Sequence, residues 1–239
     1  MVMDTRQSPK NFFYFIGGIS AILVVLMIPL QIACFILWPH PTTIEGWFSV
    51  FNNNWMIGLI GFDFLYMLSN LLMIPLFLSI FVSLYETNKG VTILALAVSL
   101  TGLAIYFTSN APIEMLQAAR MYNSAVTEQE KQMLLSVGHS FLLIYKGTAY
   151  AVSYVLGGIS LLLFFSVMLK NNSFRKITGR FGLASGILML VPATAGVVGM
   201  TMSLLSLIPW SIFSILLAFD YRRLLAESSQ KTKTTSKNA

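Results

Sequence analysis

Apolar residues run almost unbroken from Phe12 to Trp38, where Pro39-His40-Pro41 stops them. Similar runs recur at about Trp55–Tyr85, Val91–Ser109, Thr148–Leu169, Phe181–Met202 and Leu205–Phe219. A helix needs about 20 mainly apolar residues to cross roughly 30 Å of hydrocarbon, whereas a membrane β-barrel shows short alternating strands. The pattern predicts an all-α, polytopic transmembrane bundle of about six helices, with spans near 12–38, 55–85, 91–109, 148–169, 181–202 and 205–219.

Polar positions punctuate the runs. The connection Thr42–Asn54 carries Trp47, Phe48 and Phe51, and reads as interfacial. Span 2 is long: ~31 residues reach ~46 Å at 1.5 Å each. It therefore tilts, protrudes or kinks at Pro75. Between spans 3 and 4 lies the long hydrophilic connection, which is partly helical. Asn110-Ala111-Pro112 reads as a helix start, and Thr127-Glu128-Gln129-Glu130 as a capping box opening a second helix. One unbroken helix from Glu128 to Leu169 is ~63 Å long, about twice the hydrocarbon thickness, so it projects from the membrane or breaks, with Gly147 a candidate place for the break. Residues 226–239 are Ser/Thr/Lys-rich and read as a disordered basic tail.

Composition sharpens this reading. Hydrophobic residues make up 56% and charged residues 10% of the chain, against about 25% charged in a soluble domain. The net charge of +6 sits at helix ends and in the tail, which points to orientation against anionic lipid headgroups rather than to nucleic acid. Twelve basic residues (6, 10, 89, 170, 175, 176, 180, 222, 223, 231, 233 and 237) fall on one side, and Arg120, Lys131 and Lys146 on the other. The positive-inside rule places both termini in the cytoplasm of a cell with this protein in its cytoplasmic membrane. Trp38, Trp47, Trp55 and Trp210 gather near the opposite face. The lone Cys34 supports neither an intrachain disulfide nor a cysteine metal cluster. Ala33-Cys34 suits a lipoprotein cleavage site but Gln31 does not, and Phe12–Trp38 exceeds a signal h-region, so an uncleaved first span is expected.

Within the spans, polar residues are the candidates for chemistry. Asp63 lies about eight residues inside Trp55, and an ionised carboxylate at a helix centre costs roughly 2.5–3.5 kcal/mol on insertion scales. It calls for a partner, water or a proton. Tyr66 and Asn70 follow at helical spacing on the same face. Glu128, Lys131, His139 and Lys146 line up along a second face if one helix carries all four. In that arrangement Lys146 is the partner expected for Asp63. The bland alternatives are a structural ion pair for Asp63 and a solvated helix face for the others.

Other chemistries are excluded. Two histidines without an H-x-x-x-H pair do not supply the ligands of a catalytic zinc, and no metal or cofactor is expected. Lys146-Gly147-Thr148 lacks the glycine frame of a phosphate loop. Gly182-Leu-Ala-Ser185-Gly186 lacks the Gly-x-Ser-Gly of a rhomboid serine site; Gly182 and Gly186 suit helix packing. Tyr14-Phe-Ile-Gly17-Gly18-Ile-Ser20 resembles Tyr154-Val-Leu-Gly157-Gly158-Ile-Ser160, as in an inverted transporter repeat. Pro75 and Pro192 do not match in offset, which favours coincidence between two packing helices.

Gly61-Phe62-Asp63, together with Arg180-Phe-Gly-Leu-Ala-Ser-Gly186, resembles the "domain of unknown function 4386" family of prokaryotic membrane proteins over about Asn11 to Leu225. The resemblance implies a six-helix bundle and no established activity. Three roles follow from the residues. The first is binding or transport of a small ion or lipid-like ligand, with Asp63, Tyr66 and Asn70 as contacts and His139 or Lys146 at an outer entrance. The second is an accessory protein packing beside a membrane component. The third is a lipid-acting enzyme with His139 as base, for which no catalytic residue stands out.

Overall fold

The computed structural model describes residues 9–145 and 147–237, with side chains as far as Gln230. Its helices are α1 (Pro9–Leu37), α2 (Ile44–Asn53), α3 (Trp55–Gly61), α4 (Phe64–Leu84) and α5 (Lys89–Phe107). They continue with α6 (Pro112–Ser124), α7 (Glu128–Ile144), α8 (Thr148–Met168), α9 (Lys176–Leu188) and α10 (Gly196–Lys237). Among the described residues there is no strand.

Two hydrophobic cores divide these helices. α1, α4, α5, α8, α9 and α10 form a bundle whose core holds Leu76, Ile80, Phe164, Phe165, Phe213 and Tyr221. α2, α3, α6 and α7 form a cap over one end, packed around Trp47, Phe48, Phe51, Phe62 and Met115. The other end of the bundle carries Lys89, Lys170, Arg175, Lys176 and Arg223, and is called the basic end below. Hydroxyls buried in the bundle bond to carbonyls. Ser79 Oγ donates to Phe13 O at 2.7 Å, and Ser160 Oγ to Ala95 O at 3.0 Å, each joining two helices.

Among the described residues, five helical stretches are long and apolar enough to cross a membrane. The fifth expected span, about Phe181–Met202, is not one of them. α9 has 13 residues, about 20 Å at 1.5 Å each, which is short of roughly 30 Å of hydrocarbon. Pro192 is the reason: lacking an N–H and clashing with the preceding turn, it does not continue a helix. The chain runs irregularly over Met189–Ala195, and Gly196 at φ 65 turns it into α10. Ser185 Oγ donates to Ser206 O at 3.4 Å, so the end of α9 lies ten residues along α10 and the irregular stretch flanks the first turns of that helix.

Three other expectations meet the structure. Glu128–Leu169 does break before Gly147, which is the N-cap of α8. Span 2 breaks as well, at Phe62-Asp63 and not at Pro75, which lies within α4. The expected tail begins inside α10, whose range extends to Lys237. It contains neither Gly nor Pro, and the Arg223–Glu227 pair at 3.8 Å spans the junction.

The basic end is pinned by one acid. Asp220, 1% exposed, accepts from Arg175 Nε at 2.6 Å and from Thr178 Oγ1 at 2.6 Å. Arg175 also donates through Nη2 to Leu216 O at 2.9 Å. α9 is therefore clamped to α10 by polar contacts at its start and by glycine packing along its length.

Candidate functional site

Asp63 adopts the left-handed conformation, at φ 61 and ψ 23. Asp and Asn enter this region more readily than other non-glycine residues, because a short polar side chain can be satisfied locally. The consequence is a sharp joint. Phe62 ends α3, bonding back to Gly58 and Leu59, while Asp63 O opens α4 by accepting from Met67 N at 3.0 Å. The Asp63 side chain does not cap the helix it precedes. It reaches across to the α7–α8 break instead, where Tyr145 Oη donates to Asp63 Oδ2 at 2.5 Å. Only 6% of Asp63 is exposed. Tyr145 is further held by stacking on Phe62, with centroids 4.8 Å apart.

Asp63 lines a cavity of ≈ 340 Å³ within the bundle, beneath the cap. That volume lies in the range of small-molecule pockets, roughly 300–1,000 Å³. Tyr66 and Asn70 of α4 line it, together with Tyr106 of α5 and Tyr150 and Tyr154 of α8. Its remaining wall is mostly apolar, with Met73, Phe77, Leu161 and Trp210 toward the bundle core.

Many polar groups on the wall are already engaged by protein. Ser99, Ser153 and Ser206 donate to carbonyls of their own helices. Asn70 Nδ2 donates to Tyr66 O at 2.9 Å, and Asn110 Nδ2 to Tyr106 Oη at 2.9 Å. Two buried polar atoms on the wall have no hydrogen-bond partner among the described residues: Gln31 Nε2 of α1 and Tyr154 Oη of α8. A buried donor left unpaired costs about 1–3 kcal/mol, so these atoms mark places where a ligand's polar groups are favoured. With Asp63 they make the cavity's polar equipment.

One predicted residue stands elsewhere. His139 is exposed on α7 and does not line the cavity. The face count that grouped it with Lys146 assumed one continuous helix, but α7 ends at Ile144 and buries the face of Leu134 and Gly138. Gly138 packs so closely on Phe48 and Ile44 of the cap that its neighbour points outward. Lys146 lies outside the described residues. Glu128 and Lys131 form an exposed pair at 3.0 Å on the cap.

Sequence reasoning missed Tyr145, Tyr106, Tyr150, Tyr154 and Gln31. A tyrosine inside an oily run reads as one more aromatic, but Tyr150 and Tyr154 are spaced by four and share one face of α8. That spacing was the available signal. Among the described residues no group of three or more His, Cys, Asp or Glu is placed to hold a metal ion.

The described residues form an all-helical protein with membrane-length apolar helices and a carboxylate-bearing pocket. No family model, curated protein or solved structure matches the chain.

Proposed function

We propose that this is a multi-pass membrane protein that binds a small ligand, for holding or for transport, in the cavity at Asp63. The single observation behind this reading is the carboxylate itself. Asp63 is buried among apolar helices, faces a cavity large enough for a small molecule, and spends its side chain on the site rather than on its own helix. Intramembrane acids are costly and usually face such cavities.

The cap lies on the outer side and the basic end in the cytoplasm of this reading, following the positive-inside rule. Membership of the family resembled at Gly61-Phe62-Asp63 is part of the same proposal. The accessory role ranks second, because a pocket built within one chain favours a small ligand over a fixed partner. A lipid-acting enzyme with His139 as base is set aside, since that residue is exposed on the cap and away from the cavity.

The test is thermal unfolding in lipid nanodiscs against a panel of monovalent and divalent ions and amphiphiles of each charge. At least one compound raises the midpoint of the wild type, and Asp63→Asn removes that rise while its own unfolding stays cooperative. If Asp63→Asn kept the full rise for every active compound, the site assignment would fail. Cysteine labelling of the 170–180 segment from outside intact cells would overturn the sidedness.

A further inference from the structure

Resting on that reading, we infer that the ligand is an amphiphile with a cationic amine headgroup, and that it enters sideways from the lipid between α1 and α10. The argument begins with the residues at the cavity wall that also face outward. Of the residues lining the cavity, Ile32 (49%) and Leu204 (59%) are exposed on the outer surface of the bundle; the others are buried or half-buried. Both are apolar, and they come from neighbouring antiparallel helices. They stand on either side of the mouth.

Their height can be read from the packing below them. Tyr14 of α1 stacks on Tyr221 of α10 with centroids 5.5 Å apart; Gly17 abuts the same ring and Gly18 the Tyr221 Cβ. Counting from Gly17 and Tyr221, Ile32 and Leu204 lie about 22 and 26 Å up their helices at 1.5 Å per residue. They therefore lie at the same level to within a turn. Ser79, next to Gly17, leads by the same count up α4 to Asp63 about 24 Å higher, so the mouth and the carboxylate share one level.

That level is not the end of the bundle. Beyond it α1 exposes Ile36 (73%) and Leu37 (67%), and α10 exposes Val197 (84%) and Val198 (63%). Exposed apolar side chains on both helices, at this level and beyond it, suit hydrocarbon, and on the membrane reading they put the mouth within the lipid. A solute that reaches it is already dissolved in the bilayer.

The headgroup follows from the wall. Asp63 is the ionisable group other than tyrosine on the cavity wall, and no Lys or Arg among the described residues lines it. The negative faces of Tyr66, Tyr106, Tyr150 and Tyr154 add attraction for an ammonium and none for a carboxylate or phosphate. Gln31, one residue from the lip, also lines the cavity; its unpartnered Nε2 is a donor and suits an acceptor elsewhere on the ligand, not the ammonium. The apolar floor of Met73, Phe77 and Leu161 takes the chain.

The experiment uses Trp210, which lines the cavity, as the reporter. Full-length protein in nanodiscs is titrated with a long-chain alkylamine bearing a nitroxide on its chain, and with the fatty acid and fatty alcohol of equal length and label. Subtracting Trp210→Phe isolates the reporter's quenching. The amine quenches saturably, and the acid and alcohol do so at least ~tenfold more weakly. Asp63→Asn weakens the amine at least ~tenfold, as expected when a buried charge pair loses one partner. The double variant Ile32→Phe/Leu204→Phe, on the surface and away from the core, slows quenching severalfold.

Equal saturable quenching by all three labels overturns the amine while leaving the pocket in place. Unchanged kinetics in the double variant overturn the lateral route. Stabilisation by a water-soluble ion, with no saturable quenching by any label, overturns the whole inference but spares the binding reading. Failure of every ligand in the nanodisc panel defeats that reading itself.

Discussion

Tyr145 donates a 2.5 Å hydrogen bond to Asp63 across a sequence separation of 82 residues, joining the break between α7 and α8 to the break between α3 and α4. Each of these interruptions leaves a connecting segment beside the other. The bond holds the cap onto the bundle where the cavity begins.

Tyr145→Phe removes the donor and keeps the ring that stacks on Phe62. Leaving a buried carboxylate oxygen unpaired costs about 1–3 kcal/mol. The expected outcome is a lower unfolding midpoint in nanodiscs, with faster amide exchange in α3 and the start of α4. A midpoint equal to wild type would show that the bond carries no stability.

At the basic end the two partners of the buried ion pair are not equivalent. Asp220 is 1% exposed and Arg175 40%. Arg175→Ala strands the acid in the bundle, with Thr178 and a more distant Arg223 at 3.9 Å as its remaining contacts. A loss toward the lower end of about 3–5 kcal/mol is expected, because Arg175 itself is partly hydrated. Asp220→Asn, which leaves the cation free to reach water, loses less. Arg175→Lys does not restore stability, since one ammonium does not reproduce the guanidinium's fork to Asp220 and Leu216 O. Denaturation midpoints of the three variants in one detergent decide the order.

Two glycines give opposite answers to the same substitution. A Cβ on Gly182 would sit 2.6 Å from the Phe165 ring, in the core between α8 and α9, whereas one on Gly18 meets Tyr221 Cβ at 3.7 Å, an ordinary contact. Gly182→Ala is expected to cost about 1–3 kcal/mol by overpacking. Gly18→Ala is neutral or stabilising by about 0.5–1 kcal/mol, the usual gain from replacing a helix-interior glycine. Thermal midpoints of the pair check the contrast.

The capping box of α7 should show in its pH response. Backbone N–H groups of Thr127 and Val126 donate to the Glu130 carboxylate, and these bonds hold its pKa below the ordinary value. A depressed folded-state pKa means the stabilising contribution is present above the unfolded value and is lost as pH falls through the lower, folded one. Amide exchange at the start of α7 is therefore expected to speed up on acidification below the usual glutamate range. Glu130→Gln should flatten that dependence. An unchanged acid response in the variant would contradict the assignment.

How far the sequence disclosed this architecture depends on which force set each feature. α1, α5 and α8 follow from hydrophobic length alone, and their ends lie within a few residues of the predicted boundaries. Asp63, Tyr66 and Asn70 were legible because an acid and an amide in an oily run need a protein-facing wall. The joint at Asp63 was not, since a left-handed residue leaves no mark in periodicity and Gly61-Phe62-Asp63 contains no proline. Pro75 lies within α4 whereas the span with Pro192 is broken, and hydrophobic pattern alone does not say which proline a helix accommodates. His139 was misplaced because a face count fails once the helix it assumes has ended.

On the membrane reading proposed above, the cap and the bundle answer to different solvents. In water, apolar association weakens on cooling, while helices already immersed in hydrocarbon are held by close packing and gain little from that force. Chilling should loosen the cap around Trp47, Phe48 and Phe51 before it disturbs the helices beneath. Because Tyr145 packs against the cap's cluster and also touches Asp63, temperature becomes a dial on the pocket as well as on the fold.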